Sequence, residues 1–335
     1  MKTILVIGAN GFIGTHTIKF LQGQSNVEII AACRDKSRLH SSFSGKVREG
    51  DLRDDAYLET LLDGVDVVVD AMAWSSLWGQ KDQSEQLFYK PTVRLIDCFL
   101  KSDASRFVNI STTAAAAPEH SSDAMAEGIM RPFWPHMCNN VRIENYLRAN
   151  VSCEKSVINL RLGIFVGEHY GLGVLPILLP RLKTHLVPWV AGGKTQLALA
   201  DGRDYGQAMG RAALKEGFEG FHSFNVVGKE IPTVREVILF LHNEFGVPKP
   251  HFSVPFWIAY QFAWLMEKID PLVPWEPLIV RSIIHLMENT GATNERATQE
   301  LGYLPEYDWR DAVRRQVAEM NIRQKKPMGM VKAVS

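Results

Sequence analysis

The start of this chain constrains its fold most, because an apolar run there meets three spaced glycines and then a helical pattern. Residues 4–7 are apolar and mostly β-branched, which predicts a short strand buried on both faces. Gly8 permits a tight turn, Gly11 lets backbone amides approach a diphosphate, and Gly14 lets the next helix pack close to the strand. Unpaired amides and the helix dipole favour an anion at that point. We therefore predict a nucleotide-binding turn rather than an ordinary glycine-rich turn.

Short apolar strands alternate with helical patterns through the first half of the chain. Further strands are predicted at residues 27–32, 65–70, 106–111 and 157–162, and helices at residues 14–22, 54–62, 83–101 and 135–150. Such alternation predicts an α/β fold, a Rossmann-like doubly wound parallel sheet. We expect a dinucleotide-binding domain over residues 1–167, whose core sheet is shared with later segments, and a smaller, mainly helical substrate lobe over 168–323. Residues 324–335 are basic and aperiodic, which predicts a disordered tail.

Composition narrows the range of partners. The 335 residues carry 37 basic and 37 acidic side chains, so the formal net charge is +0 and no general attraction to nucleic acid is expected. The four cysteines are scattered without a Cys-x-x-Cys pair, so neither a metal site nor a disulfide framework is expected. Reduced thiols and the absence of a signal-peptide pattern favour a cytoplasmic location.

One later segment raises the question of a membrane. Residues 254–266 read VPFWIAYQFAWLM, and charged residues follow within a few positions. This run is shorter than the ~20 residues that a spanning helix needs. A buried or partner-facing helix is the favoured interpretation, with a substrate lid or a peripheral membrane contact through residues 254–287 as the alternatives.

The residues after the second predicted strand bear on the choice of cofactor. Dinucleotide folds hold the adenosine ribose there, with an acid for NAD or an arginine for the 2′-phosphate of NADP. Arg34 is placed to face a 2′-phosphate, and Arg38 is close enough in sequence to assist. We therefore predict NADP as the cofactor and NAD as the second choice, in which case Asp35 would hold the ribose.

A second short motif, Gly50-Asp51-Leu52-Arg53, follows at the next turn. A carboxylate and an apolar side chain suit the edge of an adenine ring, which makes Asp51 and Leu52 candidate cofactor contacts. In the alternative interpretation, Asp51 caps the helix that begins near Asp54.

Taken in order, these motifs resemble a known family. After the glycine turn and Gly50-Asp51-Leu52-Arg53, the chain contains the runs DAMA at 70–73, FVNIST at 107–112 and RLGIFVG at 161–167. The chain resembles the extended short-chain dehydrogenases/reductases of the NAD-dependent epimerase/dehydratase type. The runs GKE at 228–230 and LGYLP at 301–305 resemble the 3β-hydroxysteroid dehydrogenase branch. The resemblance implies a homodimer through helices 83–101 and 135–150.

The resemblance also implies a set of cofactor-binding positions. The set comprises Gly8, Asn10, Gly11, Phe12, Ile13, Gly14, Arg34, Arg38, Asp51, Leu52, Ala71, Met72, Ala73 and Asn140.

The catalytic pattern of that family is where this chain departs from it. The family uses a tyrosine as proton donor and a lysine four residues later, one helical turn away, to lower the tyrosine pKa. None of the eight tyrosines here has a lysine at the fourth following position. If Glu144 keeps the family register, His136 stands at the tyrosine position and Asn140 at the lysine position. The family hydroxyl remains as Thr112, with Thr113 as the alternative register.

Three functions stay open at this point. We expect an NADP-dependent oxidoreductase with a degenerate catalytic site, in which Thr112 binds the oxygen of a carbonyl or alcohol and His136 supplies the proton. Aromatic residues around the predicted cleft favour an apolar substrate, with contacts from Trp74, Thr113, Phe133 and Trp134. The alternatives are a non-redox isomerase, dehydratase or cyclase, and a NADP-responsive binding protein.

Overall fold

The computed structural model describes residues 1–272, 277 and 279–325. Its centre is a seven-stranded parallel sheet in the order β3-β2-β1-β4-β5-β6-β10. The strands are β1 Lys2–Ile7, β2 Val27–Cys33, β3 Lys46–Glu49, β4 Val67–Asp70, β5 Arg106–Thr112, β6 Ser156–Leu162, β7 Ile164–Val166, β8 Trp189–Val190, β9 Leu199–Asp201, β10 Gly220–Val226 and β11 Ser253–Val254. The predicted doubly wound α/β fold is confirmed.

Helices cover both faces of the sheet. They are α1 Phe12–Gln22, α2 Asp55–Leu61, α3 Lys81–Ser84, α4 Lys90–Lys101, α5 Pro135–Asn150, α6 Val174–Lys183, α7 Gly202–Leu214, α8 Val234–Phe245, α9 Phe256–Ile269, α10 Arg281–His285 and α11 Trp309–Lys325. A π-helical turn, Glu85–Tyr89, joins α3 to α4.

Side chains of β1 show why this sheet is buried on both sides. Ile4 and Val6 belong to the core under α1 and α7, whereas Leu5 and Ile7 belong to the core under α2, α4 and α5. Alternate residues of a strand point to opposite faces, so an unbroken apolar run satisfies two cores at once.

One edge strand of the sheet was not predicted from the sequence, and the other comes from the later segments that were expected to share the sheet. Strand β3 was not predicted, because its sequence KVRE has charged side chains and pairs only with β2 at the sheet edge. Strand β10 comes from beyond residue 167 and pairs in parallel with β6, so the later part of the chain completes the sheet.

The C-terminal region is mainly helical, as predicted. Helices α6, α8 and α11 share one apolar core with strands β7 to β9. Helix α11 includes Gln324 and Lys325, so the predicted disordered tail begins too early, and residues 326–335 lie outside the described residues. No helix within the described ranges is long and apolar enough to cross a membrane.

Residues 256–269 form a helix that is not buried, so of the favoured interpretation, a buried or partner-facing helix, the structure excludes only the buried form. Only Ala259, Ala263 and Glu267 of α9 are buried, while several of its large apolar side chains are exposed.

Candidate active site

The glycine turn lies where the chain enters α1 at the carboxyl edge of the sheet. Gly8 has a φ of +69°, and a Cβ there would lie 2.7 Å from the carbonyl oxygen of Ala71. A Cβ on Gly14 would lie 2.2 Å from the carbonyl oxygen of Gly8. The amide of Gly11 donates to that same oxygen at 2.8 Å, so it holds the turn and is not free for a ligand. The turn therefore requires glycine at positions 8 and 14, because a side chain at either position would collide with the backbone.

Helix α1 begins here without a side-chain cap. Its N-cap residue is Gly11, and the first turn contains Phe12, Ile13 and Gly14. Uncapped first-turn amides and the helix dipole form an anion site. After β1 the chain builds β2 and β3 on one side and then crosses to β4 on the other. This is the topological switch point, where doubly wound folds bind their ligands.

The loop after β2 contains both groups that could select the cofactor, Asp35 for NAD and the two arginines for NADP. The Asp35 carboxylate accepts hydrogen bonds from the Ser37 amide at 3.0 Å and hydroxyl at 2.6 Å, and these bonds lower the Asp35 pKa. Asn10 Nδ2 donates to the Asp35 carbonyl oxygen at 3.0 Å, which ties the glycine turn to this loop. Arg34 and Arg38 are exposed, and the side chain of neither makes a hydrogen bond or ion pair with another described residue, although their charges add to the effect of hydrogen bonds that lower the pKa values of Asp51 and Asp35 respectively. Both guanidinium groups are therefore available to a ligand, whereas Oδ1 of Asp35 is engaged by Ser37.

Asp51 is held by its neighbour and does not cap a helix. Its carboxylate accepts from Arg53 Nε at 3.0 Å and Nη2 at 2.7 Å, and these hydrogen bonds lower the Asp51 pKa. Asp54 is the N-cap of α2, so the capping alternative for Asp51 is wrong. Leu52 is buried in the sheet core beside α2.

The segment after β4 runs directly beneath the glycine turn. The Ala71 amide donates to the Ile7 carbonyl oxygen at 3.1 Å, and the Met72 amide donates to Asp70 Oδ1 at 3.0 Å. Ala73 is exposed. Burial raises the Asp70 pKa to about 7, despite the opposing hydrogen bond from Met72. A carboxyl group next to the turn that titrates near neutrality was not predicted from the sequence.

Thr112 ends β5 and opens onto a cleft at the carboxyl edge of the sheet. Its Oγ1 accepts from the Ala114 amide at 3.2 Å, which leaves its own O–H free to donate. The cleft also contains Thr113, and its walls combine apolar and polar groups: Ala114, Ala116, Pro118, Ser121, Ile164, Gln196, Ala198, His285, Leu286, Glu288, Asn289 and Thr290.

One charged group in this cleft was missed by sequence reasoning. His285 Nδ1 pairs with Glu288, and His285 Nε2 donates to the Ala114 carbonyl oxygen at 3.1 Å. Arg131 Nη2 lies 3.2 Å from Glu288 Oε2. Burial raises the Glu288 pKa, but the hydrogen bond from His285 and the charges of His285 and Arg131 outweigh burial and lower it overall. The only sequence signal was a His-x-x-Glu spacing near Thr290.

His136 and Asn140 contact each other on the first turns of α5. Asn140 Nδ2 donates to His136 Nε2 at 3.2 Å and to the His136 carbonyl oxygen at 3.0 Å. The ring packs between Trp74 and Phe88, at centroid distances of 6.1 Å and 5.0 Å. This burial lowers the His136 pKa to about 4, so the imidazole is neutral at physiological pH. His136 Nδ1 is enclosed and has no partner among the described residues.

His136 does not line the cleft with Thr112. The two regions are joined because Met137 and Val141 of α5 pack on Ala115, in the turn that follows Thr112.

The remaining predicted substrate residues mostly support the walls. Trp134 is buried, donates from Nε1 to the Ser76 carbonyl oxygen at 2.8 Å and packs edge-on against His285, so it stands behind the cleft wall. Phe133 packs against Tyr260 and under the guanidinium of Arg281. Only Thr113 of this set lines the cleft itself.

Three other polar residues of α5 and β6 are structural. Arg161 and Glu144 are fully buried and joined by hydrogen bonds of 2.6 Å and 3.0 Å. The Tyr146 hydroxyl donates to Asp97 at 2.6 Å, so this tyrosine links α5 to α4 and does not replace the missing proton donor.

Comparisons with known proteins agree with the fold. Residues 4–226 match the NAD dependent epimerase/dehydratase family. A putative dihydroflavonol 4-reductase from Synechocystis sp. is 23% identical over 92% of this chain and 91% of its own length. The crystal structure of gox2253 superposes with a TM-score of 0.74 at 19% identity, over 98% of this chain and 100% of that one. UDP-glucuronic acid 4-epimerase from Bacillus cereus, in complex with UDP-glucuronic acid and NAD, gives 0.68 at 19% identity over 97% and 100%.

Proposed function

Because this chain belongs to the NAD dependent epimerase/dehydratase family, we propose that it is an NADP-dependent oxidoreductase acting on a carbonyl or alcohol group. Bound NADPH would supply the hydride, and water in the cleft would supply the proton to the resulting alkoxide in place of His136, whose neutral imidazole is too weak an acid for that step. The glycine turn fits a dinucleotide, since α1 begins uncapped and a Cβ at Gly8 or Gly14 would collide with backbone. The substrate we propose has an apolar body, which the alanine, proline, isoleucine and leucine side chains of the cleft would contact.

The preference for NADP over NAD is supported by the charges after β2. Arg34 is an exposed cation without a protein partner in the described chain, and Asp35 is engaged by Ser37. A guanidinium suits the 2′-phosphate, because charge-assisted hydrogen bonds to phosphate are strong and directional.

The observation that carries the proposed chemistry is the unpartnered Nδ1 of His136. Asn140 donates to Nε2, so the proton of the neutral ring resides on Nδ1. A buried donor left unpaired costs about 1–3 kcal/mol, so a substrate oxygen that accepts from it would recover that free energy. We infer that this N–H donates a hydrogen bond to the substrate oxygen.

For two donors to reach one oxygen, the cleft must extend to His136 when substrate binds, because Nδ1 is enclosed and His136 does not line the cleft with Thr112 in the free protein. The two donors would then act together on that oxygen. A pKa of about 4 makes His136 a neutral donor and not a cationic acid, and neutral imidazoles polarise carbonyl groups in other enzymes. The Thr112 hydroxyl, whose oxygen already accepts from Ala114, has its proton free for the same purpose. In this arrangement Asn140 is a positioning residue, since it holds the imidazole tautomer.

The test is NADPH oxidation with a panel of apolar ketones, comparing wild type with His136→Phe and Thr112→Val. Each variant should lose about 10²- to 10⁴-fold in kcat. NADPH binding, followed by its fluorescence, should persist in both. Equal turnover by wild type and His136→Phe would remove His136 from the mechanism.

A NADP-responsive binding protein is the second candidate. It is favoured by one observation, the low pKa of His136 where the family places a tyrosine and lysine. Tight NADPH binding without turnover of any carbonyl or alcohol would support it. Product formation without net change in the cofactor would instead indicate a non-redox isomerase, dehydratase or cyclase.

A further inference from the structure

Helix α9 presents its large apolar side chains outward. The outer face of α9 consists of Trp257, Ile258, Phe262, Trp264 and Leu265, each between 40% and 67% exposed. Their spacing of three, four and seven residues places them on one side of the helix. The opposite side bears the buried Ala259, Ala263 and Glu267, flanked by the half-buried Phe256 and Tyr260.

That inner side explains how the helix docks. Ala259 and Ala263 let α9 approach α10 closely, and they pack in one cluster with Ile284. Glu267, also on this side, pairs with Arg281 at 2.6 Å. Phe256 and Tyr260 pack beside these alanines, but the five large apolar side chains of the outer face point away from the protein, so most of the apolar area of α9 does not serve its own core.

The outer face of α9 belongs to a larger apolar surface. Strand β11, just before α9, pairs with β8, and the His251 ring stacks on His185. Leu186 and Phe252, next to those histidines, are 71% and 49% exposed, and Leu272 after α9 is 83% exposed. These segments hold eight of the fourteen large apolar side chains that are exposed in the described part of the chain. Such concentration marks an interaction surface and not scattered exposure.

The charges around this surface have one sign. Lys183, Lys249 and Lys268 are exposed, and Lys268 lies beside the Trp264 ring on α9. Residues 181–190 and 249–272 contain only two acids. Glu267 is buried against Arg281, and Asp270 accepts from Trp78 Nε1 at 3.0 Å. The exposed charge around the apolar surface is therefore positive.

We propose that this surface binds the interface of an anionic phospholipid membrane, with α9 lying parallel to the bilayer plane. Apolar and tryptophan side chains would enter the acyl boundary while the lysines meet lipid phosphates, as interfacial helices do. Symmetric contact with a second copy fits less well, because it would bring the lysines of one copy against those of the other. The proposal is independent of the cofactor chemistry proposed above.

Flotation of the full chain with lipid vesicles tests this proposal. Vesicles of phosphatidylcholine alone are compared with vesicles of equal parts phosphatidylcholine and phosphatidylglycerol, at low and high salt. We expect binding to the anionic vesicles that weakens with salt. The variant Trp257→Ser/Phe262→Ser/Leu265→Ser should bind at least about tenfold more weakly. Lys249→Glu/Lys268→Glu should lose the preference for phosphatidylglycerol.

A matched control and a second measurement keep the test decisive. Leu172→Ser/Leu304→Ser changes side chains that are 66% and 55% exposed elsewhere, and it should bind vesicles as wild type does. Circular dichroism and thermal unfolding would verify that all variants fold, as expected for exposed positions. Failure of the folded wild type to bind either vesicle would overturn the proposal. So would a dimer in sedimentation that the triple serine variant abolishes.

Discussion

The side-chain amide of Asn140 donates to Nε2 of His136 at 3.2 Å, and this contact determines which ring nitrogen holds the proton. The same amide nitrogen donates to the His136 carbonyl oxygen at 3.0 Å. The amide oxygen of Asn140 could not take this place, because it would face another acceptor without a proton between them. The amide orientation and the imidazole tautomer are therefore linked. A pair four residues apart on one helix thus replaces the tyrosine and lysine with an uncharged arrangement.

Replacing Asn140 with leucine should lower kcat for carbonyl reduction by about 10- to 100-fold. The physical reason is that Nε2 loses its donor, so the proton is free to occupy either nitrogen. Steady-state kinetics would measure the change, and KM for NADPH should stay within experimental error. Asn145→Leu, an exposed change on the same helix, serves as the control. If both variants turn over at the wild-type rate, Asn140 does not position His136.

Replacing Arg34 with alanine should weaken NADPH binding by about 10- to 100-fold, the range expected for one charge-assisted hydrogen bond. Affinity for NADH should not change, because NADH has no 2′-phosphate. Titration calorimetry with both cofactors measures the difference. Asp35→Ala is the matched variant. If Asp35→Ala loses affinity for NADH alone, and Arg34→Ala loses no affinity for NADPH, the cofactor assignment changes from NADP to NAD.

Replacing Gly14 with alanine should destabilise the protein by about 1–3 kcal/mol and reduce dinucleotide affinity. The added Cβ would lie 2.2 Å from the Gly8 carbonyl oxygen, so α1 must shift away from the turn. Urea unfolding and cofactor titration measure the two effects. Gly23→Ala, just after the same helix, meets its nearest atom at 3.4 Å and should be nearly neutral. Equal unfolding free energies for the two variants would contradict the close-packing role of Gly14.

Replacing Asp70 with asparagine should stabilise the cofactor-free protein at alkaline pH. The folded-state pKa of Asp70 is about 7 against its ordinary value of 3.8, so between these values the folded state binds more protons and stability falls as pH rises. An asparagine still accepts from the Met72 amide but carries no charge. We expect a gain of roughly 2–4 kcal/mol at about pH 8 and almost none at about pH 4.

Urea unfolding at both pH values would measure this gain. Asp63→Asn is the control, because Asp63 is exposed and should give the same small effect at both values. A pH-independent effect of Asp70→Asn would mean that Asp70 is ionised in the folded protein throughout.

Features that depend on neighbours in sequence were predicted well. The turn at Gly8 and Gly14 follows from local backbone geometry, and the strands of the sheet follow from unbroken apolar runs. Strand β3 was missed because a charged edge strand has neither a glycine turn nor an unbroken apolar run. The sequence left open whether α9 is buried or partner-facing, since an apolar run does not reveal which side meets solvent.

The sequence by itself determined the Rossmann-like sheet, the glycine turn and the placement of His136 and Asn140 one helical turn apart, because each arises from residues a few positions from one another. Only the tertiary structure decided the environment of those groups. Trp74 and Phe88 come from other segments to bury the imidazole and lower its pKa. His285 reaches the Ala114 carbonyl across 171 residues to form the cleft beside Thr112. Desolvation and charge pairing depend on what surrounds a group in space, and a linear pattern does not specify that.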